Sequence, residues 1–236
     1  MVGSALAIAA APGFRVAQEV RVGADRLQVL EDARLDAPLV AQMWRDGCPD
    51  PAMELDKADP RAAKFTRDDI RPVRLRLIDA RGRSLASVRP DPQAPIARID
   101  PRPLGHGPGA AILVTTNDSA CMGSYSGELV SFYQIDHGAL RALAAVDAHG
   151  RSRSMTVFSS LKSGWRFVPG SHRTAIQQWF CRPDFRPEGQ KETFTMTYVT
   201  YAFDGRTWRV AKRKRPGFFE GEGPWPTKDF PGPPRR

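Results

Sequence analysis

Three stretches of this 236-residue chain hold side chains whose types and spacing could do chemistry. The first runs from Ser119 to Gly127, Ser-Ala-Cys-Met-Gly-Ser-Tyr-Ser-Gly. Cys121 could act as a thiolate nucleophile, which requires a neighbouring base; the nearest histidine upstream, His106, stands 15 residues before it. Gly123 to Gly127 approaches the G-x-S-x-G elbow that presents a serine nucleophile, but Tyr125 occupies the nucleophile's place. A hydrolase using Cys121 or Ser124 is one reading of this stretch. The other needs no base: a small-residue loop between strands, where a ligand meets backbone and the hydroxyls of Ser124, Tyr125 and Ser126. The loop is the expected reading.

The second stretch is a run of cations, Arg209, Lys212, Arg213, Lys214 and Arg215. The formal charge is +9, yet residues 1–60 hold 6 Lys/Arg against 10 Asp/Glu, so the whole excess belongs to the later chain. Such a cluster attracts an acidic partner by screened Coulomb forces, here an acidic polymer or protein of the cell envelope. A nucleic-acid binder would use the same cations with Tyr201 or Phe218 for stacking, and its affinity would fall steeply with salt. Of the 35 basic residues 28 are Arg, in a chain also rich in Ala, a pairing that coding bias explains as readily as recognition. Nucleic acid is therefore not the expected partner.

The third stretch, Gly105-His-Gly-Pro-Gly109, has the glycines of a phosphate-cradling loop. Such loops follow a strand and open a helix. These glycines instead precede Ala110 to Thr116, an apolar run that reads as a strand, so a turn is expected. His106, His137, His149 and His172 show no i,i+2 or i,i+4 pairing, and calcium loops of the D-x-[DN]-x-[DN]-G kind are absent. No metal and no cofactor is expected. Cys48, Cys121 and Cys181 lack the paired spacing of a zinc site. One bridge and one thiol is the simplest arrangement, and Cys121 with Cys181 is the expected bridge because both fall in the β-rich half.

The elements that must position these groups are mainly strands. Asp36 as cap, Pro38 in the first turn, a stripe of Leu39, Val40, Met43 and Trp44, and Gly47 as stop predict one short helix. From Val73 onward the apolar period is two. Strand–turn–strand patterns are expected at Val73–Val88, Leu129–Leu140 and Phe194–Val210, turning at Asp79, Asp136 and Asp204. A fourth hairpin is expected between Met155–Phe158 and Trp165–Val168. These predict a mainly β fold, an antiparallel hairpin meander forming a sandwich or barrel-like sheet.

Along the chain, residues 1–18 read as a leader or the remnant of a signal peptide, an Ala-rich apolar run ahead of a polar stretch. Residues 19–88 then form an N-terminal lobe with the helix and a hairpin. Six prolines and three glycines make 89–109 a connection or an edge, 110–215 form the main β lobe, and 216–236 are a Pro/Gly/aromatic tail. No run of about 18 apolar residues could cross a membrane as a helix. The expected protein is a noncatalytic binding or structural module of the cell envelope, periplasmic or secreted, with a cytoplasmic location as the alternative.

Overall fold

The computed structural model describes residues 12–48, 50–51, 55, 59–60, 65, 70–104, 111–117, 127–160, 162–169, 174–184 and 193–217. Four strands, β1 (Phe14–Val22), β2 (Asp25–Asp32), β3 (Arg74–Ile78) and β4 (Ser84–Val88), pair in chain order into a small antiparallel sheet. Between β2 and β3 lies the helix α1 (Ala37–Asp46). Its ends are those the residue types predict. The Asp36 carboxylate accepts the Leu39 N–H at 2.9 Å, and Gly47 closes the helix in the left-handed region at φ 70°. Leu39 and Met43 are buried with Leu35, Leu55, Phe65 and Ile96, a small core of the helix's own.

The remaining strands are β5 (Ala97–Arg102), β6 (Ala111–Asn117), β7 (Gly127–Asp136), β8 (Ala139–Ala142), β9 (Ala144–Val146), β10 (Ser152–Ser154), β11 (Thr156–Ser160), β12 (Ser163–Pro169), β13 (Thr174–Asp184), β14 (Thr193–Phe203) and β15 (Trp208–Gly217). They form one large sheet in the order β10-β9-β15-β14-β13-β12-β11-β7-β6-β5, with β8 beside β7. Every pairing is antiparallel except that of β15 with β9. The fold is mainly β and sandwich-like, and the sheet does not close into a barrel.

Two cores follow from the alternation of side chains along β6 and β7. Ile112, Val114 and Tyr133 face Leu27, Val29, Leu75 and Leu77 of the small sheet, with Ala97 and Ile99 of β5 between. Ala111, Leu113, Val130 and Phe132 face the other way, into a second cluster with Met155, Val157, Ile176, Val199, Tyr201 and Trp208. The large sheet bends over that second cluster, and the Tyr201 hydroxyl of β14 donates to the Thr156 carbonyl of β11 at 3.1 Å. The 89–109 stretch contributes β5 as an edge strand, and the core beneath it draws residues from both sides of that stretch.

The turns show why the hairpins form. Asp79-Ala-Arg-Gly-Arg-Ser and Asp147-Ala-His-Gly-Arg-Ser, 68 residues apart, build the same loop. In each the aspartate accepts two backbone N–H groups and the arginine side chain, and the glycine takes positive φ. Asp204 repeats the device with the Arg206 and Thr207 N–H groups and Arg209. Those backbone bonds first, then the arginines, hold all three carboxyls below the usual range. Asp136 is different, since His137 (φ 48°) and Gly138 (φ 76°) make a two-residue turn.

Three of the four expected hairpins are present, and the fourth needs correction. β11 and β12 are antiparallel neighbours as expected, but their ladder is the single pair Ser160–Ser163, so Met155–Phe158 and Trp165–Val168 do not pair; the long ladders are those of β11 with β7 and of β12 with β13. At Gly127 the β7–β11 approach leaves no room for a side chain, since a Cβ there would stand 1.7 Å from the Ser159 carbonyl oxygen. The expected Cys121–Cys181 bridge is also overturned. Cys181 is a buried thiol outside any disulfide, packed with Trp179, Phe194, Met196 and Tyr198, where it serves as a small apolar filler. Cys48 is the disulfide-bonded residue, and Cys121 lies outside the described residues. Peptide mapping without reduction is expected to recover Cys48 in a bridged peptide and Cys181 as a thiol that takes up alkylating reagent after unfolding; Cys181 in a bridged peptide would refute this.

Candidate functional site

The three expected site regions fare differently. Ser124, Tyr125 and Ser126, like Cys121 and the 105–109 glycines, lie outside the described residues. The cationic run lies on β15, where successive side chains point to opposite faces. Lys212 and Lys214 therefore share the face of Trp208 and Val210, while Arg209 and Arg213 share the other. Arg209 is also committed, since it bonds Asp204 at 2.8 Å in the turn. What looks like one patch in sequence is a split set. Lys212, Arg213 and Lys214 are exposed, and neither lysine has an ion-pair partner among the described residues. Beyond Arg209 the outer side of β15 carries no strand among the described residues, because β9 pairs with Trp208 and Arg209 alone.

A cleft that the sequence did not announce lies between β1, α1 and β5, with a volume of about 410 Å³. A bulge between Val16 and Gln18 turns the Gln18 amide toward β5, where it accepts from the Ile99 N–H at 2.8 Å and donates to the Ile99 carbonyl at 2.7 Å. This side chain does the work of a missing strand and ties the edge of the large sheet to the small one. Directly opposite Arg15 in the β1–β2 register is Glu31, almost wholly buried, and the two pair at 2.8 Å. Burial pushes the Glu31 carboxyl up, against the opposing pull of Arg15, the Ala97 N–H and Arg98.

Arg98 projects from β5 and lies over the Trp44 ring of α1, its Cζ 4.0 Å from the ring centre. A guanidinium stacked by its face keeps its N–H donors in plane and available. The Arg98 guanidinium has no hydrogen bond to a described residue, and the buried Nε of Arg15 is without a partner among them. Val40 and Ala41 of α1 supply apolar wall. Behind the cleft Asp32, wholly buried, accepts from the Arg34 side chain and from the Arg34 and Arg71 N–H groups, and so fixes the exit of β2 into the helix. Burial alone would raise its carboxyl, but the Arg34 side chain and the Arg71 and Arg34 N–H groups outweigh it and hold it at about 2.

Among the described residues no three His, Cys, Asp or Glu side chains converge as a metal would need. No protein-family model matches the chain, and no curated protein or solved structure is significantly similar to it.

The cleft had one readable trace in sequence, Glu31-Asp32 closing a strand of alternating apolar residues where two adjacent acids are costly to bury. Arg15 and Arg98 are 83 residues apart and carry no spacing signal. Trp44 was read as part of the helix's apolar stripe; in the structure it is half-buried and presents its face to Arg98.

Proposed function

We propose that the protein is a noncatalytic binding module of the cell envelope that engages an acidic polysaccharide along β15. The observation that carries this reading is a contrast of charges. The turn arginines Arg83, Arg151 and Arg209 are each held by an aspartate at 2.8 to 3.0 Å. Lys212 and Lys214 stand exposed with no such partner among the described residues, on a strand whose outer side is open beyond Arg209. A row of cations about 7 Å apart on one face suits a polymer with repeating negative charge better than a single small anion. The disulfide at Cys48 supports export, because such bonds persist in oxidising compartments. No helix among the described residues is long and apolar enough to cross a membrane.

Binding to immobilised alginate, a polyuronate, tests the reading against neutral dextran and against duplex DNA. Retention on alginate is expected at about 0.01 M salt and is lost near about 1 M, where the Debye length falls from about 30 Å to about 3 Å. The double variant Lys212→Glu/Lys214→Glu, at two exposed positions, is expected to bind at least about tenfold more weakly while keeping its melting temperature. Equal binding by the variant, or no retention on alginate, refutes the proposal. Preference for DNA would replace it with the nucleic-acid reading.

A further inference from the structure

We infer that the cleft between β1, α1 and β5 is a second binding site, one that seats a small monocarboxylate with an apolar body. The charge count comes first. Arg15 and Arg98 bring two positive charges to the cleft, and Glu31 returns one negative, so a single anionic group leaves the site neutral. The donors are suited to a planar carboxylate rather than to a compact point charge. Arg98 lies over the Trp44 ring with Cζ 4.0 Å from its centre, a contact that positions the guanidinium without consuming its N–H donors. Arg15 is held by Glu31 at 2.8 Å through Nη2, which fixes its charge at the wall of the cleft.

The apolar half of the ligand follows from the helix side. Val40, Ala41 and the Trp44 ring line that wall, and small residues at Ala37 and Ala97 leave the space open. About 410 Å³ is at the low end of the range for small-molecule sites, enough for a ligand of one ring or a short aliphatic chain. The framing is rigid, because the Gln18 amide bonds both backbone groups of Ile99 and so sets the distance between the Arg15 and Arg98 strands. The site is thus preformed, and it shares no residue with the cationic face of β15.

The same chemistry has two sources, a free carboxylic acid or the C-terminus of a peptide. Calorimetric titration of the intact protein with phenylacetate, with its neutral amide and with the dipeptide Gly-Phe separates them, and the shift of the Trp44 indole N–H in NMR spectra, assigned with Trp44→Phe, places the ligand. Phenylacetate is expected to bind with Kd near or below about 1 mM and its amide at least about tenfold more weakly. Gly-Phe binding more tightly than phenylacetate assigns the peptide source, and the reverse assigns the free acid. Arg98→Gln, at an exposed edge position, is expected to abolish the distinction between acid and amide while leaving the fold intact. Saturable binding that does not discriminate charge, no saturable binding of either carboxylate, or an unchanged affinity in Arg98→Gln overturns the inference.

Discussion

Replacing Asp32 with alanine is expected to destabilise the protein by about 3–5 kcal/mol, the range for breaking a buried charge pair from one side. For a chain of this length that is a fall in melting temperature of roughly 6–20 °C. Asp32 is wholly buried, and its two oxygens receive the Arg34 side chain, the Arg34 N–H and the Arg71 N–H. The substitution leaves those donors without their acceptor at the point where β2 turns into α1 and where residue 71 returns toward β3. Asp32→Asn keeps the shape and one acceptor, so a smaller loss is expected. The pH dependence has a defined sign. The folded carboxyl sits at about 2, below its ordinary value of 3.8, so its contribution is present above about pH 4 and is lost as pH falls toward 2. That contribution is about 2 kcal/mol, and the gap in stability between the native protein and Asp32→Ala should narrow by that amount across the window. Chemical denaturation at pH 6, 4 and 2.5 measures it; a gap that stays constant, or an alanine variant within about 1 kcal/mol of the native protein at pH 6, refutes the role.

The second large effect is expected from Phe132→Ala, at about 3–5 kcal/mol. Phe132 is fully buried at the centre of β7, with its ring edge-on to Trp165 at 6.1 Å. Its backbone also sits at a crossing, where its N–H donates to the Met155 carbonyl and its carbonyl accepts from the Leu143 N–H. Leu143, Met155 and Val157 pack in the same core cluster as the ring, so its removal leaves a cavity in a filled core. Leu85, exposed on β4, provides the comparison, and Leu85→Ala should stay within about 0.5 kcal/mol. Urea denaturation is expected to shift the midpoint of Phe132→Ala with the slope unchanged. A cost below about 1 kcal/mol would show that the second core is not closed around this residue.

These two positions also show where the sequence was legible. Phe132 lies in a run of alternating apolar residues, Leu129 to Ile135, whose period alone places it on a buried face of a strand. Asp32 gave no such sign, because an aspartate at a strand end looks like any exposed turn acid until Arg71 is brought beside it from 39 residues away. The turns divide in the same manner. Asp-Gly and Asp-x-x-Gly hairpins are local chemistry, visible in six residues, yet by sequence Asp136 groups with Asp79 and Asp204 as turn aspartates, whereas the loop that matches Asp79 is that of Asp147. The β11–β12 neighbourhood is legible in the same way, but its extent is not, since a short turn brings the strand ends together and the ladder between them stops at Ser160 and Ser163.

What the sequence by itself determined is whatever its neighbours within a few residues enforce. The Asp36 and Gly47 caps, the period-two strands and the aspartate turns all rest on hydrogen bonds or side-chain alternation that a short segment satisfies alone, and together they require an antiparallel, mainly β protein. Only the tertiary structure decided the rest. It set Arg98 on Trp44 and Arg15 against Glu31, left Cys181 as a core thiol while Cys48 is bridged, and left the outer side of β15 beyond Arg209 without a strand among the described residues. Each of these depends on which strands lie side by side and on which face is buried, and burial is a property of the packed sheets that no local spacing encodes.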